Sequence, residues 1–62
     1  MMNSTTFGTM QSLIREYLGN TPSCWFSFAS SVELVKEVAT MNDVILTTKR
    51  VYELADWMMA DL

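Results

Sequence analysis

Apolar residues recur at spacings of three and four in the first and last thirds of the chain, and crowd more densely in the middle. From Phe7 the series Met10, Leu13, Ile14, Tyr17, Leu18 follows the i, i+3, i+4, i+7, i+8 rule of an amphipathic helix. Thr5 or Thr6 is its expected cap, and Gly8 weakens the start enough for the helix to begin after it. Gly19 suits the left-handed position that follows a helix, and Asn20-Thr21-Pro22 then turns the chain. At the other end, Thr47–Leu62 places Val51, Leu54, Ala55, Met58 and Leu62 within about 100° of one another when the chain advances 100° per residue. This predicts the longest element, capped by Thr47 or Thr48, with Lys49, Glu53, Asp56 and Ala60 on its far side. Trp57 falls about 240° from Val51, off the apolar stripe and on the side of Arg50 and Asp61.

The middle reads differently. Ser23–Ala29 alternates Cys24, Phe26 and Phe28 with Ser23, Trp25 and Ser27, the period-two pattern of a half-buried strand. Ser30-Ser31-Val32-Glu33 has the form of a capping box, so a second helix is expected from Ser31 to about Met41. Its Val32, Leu34, Val35, Val38, Ala39 and Met41 cover more than half the circumference, leaving Glu33, Lys36, Glu37 and Thr40 outside. It should be the most buried helix. Asn42-Asp43 signals a turn, and Val44-Ile45-Leu46 reads as a second strand or as a buried linker. The expected fold is mainly α: three helices with one short strand, or two. The alternative is a small α+β domain with a two-stranded sheet.

Sixty-two residues make a single domain, 1–62, with residues 1–5 expected to fray. A chain this size buries only about 60% of its unfolded surface. Its stability should fall near 3–9 kcal/mol, so a partner or a second copy of the chain matters to folding as well as to function. Half of the residues are hydrophobic, too many for a disordered tail. Six of them are methionines, which adapt equally to cores and to interfaces.

Charge and chemistry narrow the function. The net charge is −3 and the cations are Arg15, Lys36, Lys49 and Arg50, a poor set for neutralising phosphates unless clustered or doubled in a dimer. A lone Cys24 forms no intrachain disulfide, which fits a reducing cytoplasm. No leader-like or membrane-spanning run is evident, so no membrane role is expected. With no histidine, Cys24 and the serines lack an activating imidazole, and the chain is read as non-enzymatic. Cys24 is better explained as a packed thiol on the apolar side of the strand. Glu33 and Glu37, at i and i+4, could face a hard cation, but a solvated helix face is the simpler account. No metal site and no cofactor is expected.

Lys36-Glu37-Val38-Ala39, followed by a helix opening Thr47-Thr48-Lys49-Arg50-Val51-Tyr52-Glu53-Leu54, resembles the winged helix-turn-helix regulators over about residues 7–62, without the wing hairpin. The resemblance implies a winged-helix-like order and a DNA-facing set of Thr47, Thr48, Lys49, Arg50 and Tyr52, as a transcription regulator would use. The residues themselves favour a protein partner. Trp57 with Arg50, Glu53 and Asp61 has the composition of an interface anchor, and Tyr52 and Met59 could widen it or edge the core. The competing explanation for Trp57 is cover by the first helix or the N-terminal arm. The expectation is therefore a small cytoplasmic regulator, inhibiting or modulating a protein through its last helix. DNA binding is the alternative, and self-association into a dimer would cover exposed aromatics such as Trp25. By analogy alone, a phage or plasmid inhibitor of a host factor has this character.

Overall fold

A computed structural model describes residues 3–61, with the backbone alone for Asn3, Ser4, Thr5, Ser23 and Asp61. Three α-helices follow in order, α1 (Asn3–Leu18), α2 (Phe28–Met41) and α3 (Thr48–Asp61), with a single 3-10 turn, Ser23–Trp25, between the first two. The mainly α expectation holds. The longest element is α1, not α3. It starts at Asn3 and runs through Gly8, so the glycine does not delay it, and Thr5 and Thr6, expected as its cap, lie inside the helix instead of ahead of it. Gly19 closes α1 as expected, at φ 58°, with its N–H donating to the Arg15 carbonyl at 3.0 Å.

No strand forms among the described residues, which corrects both the strand at Ser23–Ala29 and the two-stranded alternative. A lone extended segment has no ladder to satisfy its N–H and C=O groups. Here the backbone turns back on itself instead: the Trp25 N–H donates to the Pro22 carbonyl at 3.2 Å, and the Ser31 N–H to the Ser27 carbonyl at 2.9 Å. The helix α2 consequently starts three residues earlier than Ser31. Its cap is Ser27, whose hydroxyl accepts from the Ser30 N–H at 3.1 Å, and the Ser30–Glu33 box does not form. Cys24 is exposed, not packed against a core. Met41, expected on the apolar side of α2, is exposed as well.

The linker between α2 and α3 is a connection, not a strand. Asp43 takes the left-handed conformation at φ 57°, its N–H donating to the Thr40 carbonyl and the Val44 N–H donating to the Ala39 carbonyl at 2.8 Å. That pair of bonds is a Schellman stop. Thr47 then caps α3 as expected, its hydroxyl accepting from the Arg50 N–H at 3.2 Å. Leu46 before the cap and Val51 after it both pack into the core, as in a hydrophobic staple.

That core draws on all three helices. Met10, Ile14 and Leu18 come from α1, Val32, Leu34, Val35, Val38 and Ala39 from α2, and Val51, Leu54, Ala55 and Met58 from α3. The largest helix interface is α2 against α3, and α1 lies across both. Phe7, Leu13, Phe26, Val44, Leu46 and Trp57 edge the cluster as partly buried residues. Ser31 is fully buried within it, and its Oγ has no hydrogen-bond partner among the described residues. Leu62, expected to extend the stripe of α3, lies outside the described residues.

Candidate functional site

With Val51, Leu54, Ala55 and Met58 turned inward, α3 has two flanks, and the structure treats them differently. Trp57 and Arg50 lie on the flank facing α1. The Arg15 guanidinium of α1 sits 5.1 Å from the centre of the Trp57 ring, and Trp57 is partly buried against the core. Arg50 pairs with Glu53 one turn on and lies 5.7 Å from the Phe7 ring. This flank is largely occupied within the chain: cover by the first helix, the competing explanation for Trp57, describes its surroundings. The Asp61 side chain lies outside the described residues.

The opposite flank is open. Tyr52 and Met59 are each about half exposed. Tyr52 meets Phe28, the first residue of α2, with ring centres 6.0 Å apart and planes tilted by 44°. Phe28 is itself 42% exposed. Phe28, Thr48, Lys49, Tyr52, Glu53 and Asp56 line a shallow groove of about 650 Å³. It has an aromatic floor and a charged outer edge.

No protein-family model, curated protein or solved structure matches the chain.

The residues proposed for DNA contact are dispersed in role. Thr47 is used as a cap, Arg50 is held by Glu53, and Tyr52 leans on Phe28. Thr48 and Lys49 remain exposed at the start of α3, and six residues, 42–47, separate α3 from α2. Only one cation of the set, Lys49, stands outside the ion pairs seen among the described residues.

The two glutamates weighed as a cation site are separated in function. Glu33 pairs with Lys36 at 3.8 Å, while Glu37 accepts from the Tyr17 hydroxyl of α1 at 3.3 Å. Among the described residues no group of three or more His, Cys, Asp or Glu is placed to hold a metal ion, and no helix is long and apolar enough to cross a membrane.

Sequence reasoning missed Phe28 and Asp56 as members of the open flank, and Arg15 as the residue that covers Trp57. Phe28 was hidden by the strand reading, which turned it inward beside Cys24. Reading Ser27 as the cap would have placed it at the first helical position, an exposed one. Asp56 was legible as polar, but its companions were not, because they come from a different helix.

Proposed function

We propose that this chain is a small, non-enzymatic cytoplasmic regulator that inhibits or modulates another protein by binding it, with α3 as the contact element. The observation that carries the reading is the open Phe28–Tyr52 groove, in which two large aromatic rings stay half in water beside Lys49, Glu53 and Asp56. Aromatic side chains held rigid at a helix surface and rimmed by charge are the usual material of interface anchors. The contact set is therefore Tyr52 and Met59 with Phe28, and Arg50 and Trp57 serve to hold α3 in place from its other flank. The exposed lone thiol of Cys24 suits a reducing compartment.

The experiment is affinity capture from the native cell with the whole chain as bait, beside Tyr52→Ala and Trp57→Ala baits whose folding is checked by circular dichroism. A partner retained by wild type and weakened about thirtyfold by Tyr52→Ala, the scale of an interface hot spot, supports the reading. Equal capture by the Tyr52→Ala bait would refute it. In parallel, a retarded band with duplex DNA that depends on Lys49 and falls steeply with salt would favour the winged-helix-like regulator instead.

A further inference from the structure

We propose that the open flank of α3 is a self-docking face, on which a second copy of this chain lays its own α3 antiparallel about a two-fold axis. This rests on the reading of α3 as the contact element: in the free chain the second copy covers the groove, and a protein partner binds there by displacing it. Lys49, Tyr52, Asp56 and Met59 stand at i, i+3, i+7 and i+10, a single line down the helix. The order along that line is base, aromatic, acid, thioether, and it reads as its own complement when reversed.

The geometry follows from the helical rise of about 1.5 Å per residue. An axis passing at the level between Tyr52 and Glu53 puts Lys49 level with Asp56 of the second copy, and Asp56 level with its Lys49. The two Tyr52 residues then differ in height by only about 1.5 Å and pack across the axis, each backed by its own Phe28. Met59 arrives beyond the first turn of the second copy's α3, where the connection that carries Ile45 enters that helix. Ile45 is 95% exposed, the most solvated of the large apolar side chains among the described residues. A parallel arrangement would instead set Lys49 against Lys49 and Asp56 against Asp56, so charge selects the antiparallel one.

Two further observations agree. Neither Lys49 nor Asp56 has an ion-pair partner among the described residues, whereas Arg50 and Glu53 are already joined to each other and do not compete. An interface built this way is isologous, and so closes at two copies. The ion pairs lie at the rim and set orientation more than strength. Affinity comes from the apolar residues Tyr52, Phe28, Met59 and Ile45.

Sedimentation equilibrium of the purified full chain, from micromolar to millimolar concentration, reads the dimer directly. Lys49→Glu and Asp56→Lys each place like charges together twice and should weaken association about tenfold or more, and the double variant should restore it. Tyr52→Ala should leave a monomer, and circular dichroism should show every variant still helical. On dilution, amide NMR signals should move at Ile45, Tyr52 and Met59. A monomer throughout the millimolar range would overturn the proposal, as would a dimer that the double variant fails to restore or that dilution maps to another face. No second protein takes part in this measurement, so its failure leaves the result of partner capture intact, and the reverse also holds.

Discussion

Arg15 occupies an exposed position on α1, yet its guanidinium shields Trp57 on the flank of α3 where a bare indole was expected. A position counted from one helix tells where a side chain leaves that helix; it carries no information about what a neighbouring helix brings over it. That is why the inward positions Val51, Leu54, Ala55 and Met58 were legible from spacing while the fate of Trp57 was not. The consequence is measurable. Arg15→Ala should cost about 0.5–1 kcal/mol, the value of a surface cation–π contact, and should open Trp57 to solvent. In a Trp25→Phe background, where Trp57 is the only indole, its fluorescence should shift to the red and acrylamide quenching should rise. Unchanged quenching would mean that Arg15 does not cover the ring.

At the level of the helices, boundaries were decided by caps more than by periodicity. Gly19 and Thr47 were readable because glycine at a left-handed position and threonine ahead of an apolar series have few alternative uses. The start of α2 was not, since Ser27, Ser30 and Ser31 all have capping chemistry within five residues. Apolar alternation over Cys24–Phe28 then tipped the reading toward a strand, although no second strand forms among the described residues to pair with one. The structure assigns the cap to Ser27, with the Ser30 hydroxyl in a secondary contact to it at 3.1 Å. Ser27→Ala should therefore lower stability by about 1 kcal/mol in urea unfolding followed by circular dichroism. Ser30→Ala should cost clearly less, and equal costs would count against Ser27 as the cap.

For the molecule as a whole, a core of small and medium side chains has to hold three helices together. Leu54 is fully buried at the centre of α3, and a truncation there removes packing that no neighbour can replace. Leu54→Ala should cost about 2–5 kcal/mol, most of the roughly 3–9 kcal/mol expected of a chain this size. A thermal scan should show a large drop in midpoint or a chain already partly unfolded at room temperature. If the chain self-associates, the midpoint should also rise with protein concentration, because dimer formation draws on the folded state alone.

The connection between α2 and α3 has a consequence for how this surface can change. Its backbone is tied down at both ends, by the left-handed Asp43 stop and by the Thr47 cap, while Ile45 between them points into water. The angle at which the last helix leaves the second is thus held by hydrogen bonds in which the Ile45 side chain takes no part. Substitutions at such a site retune what the domain touches without redrawing its architecture.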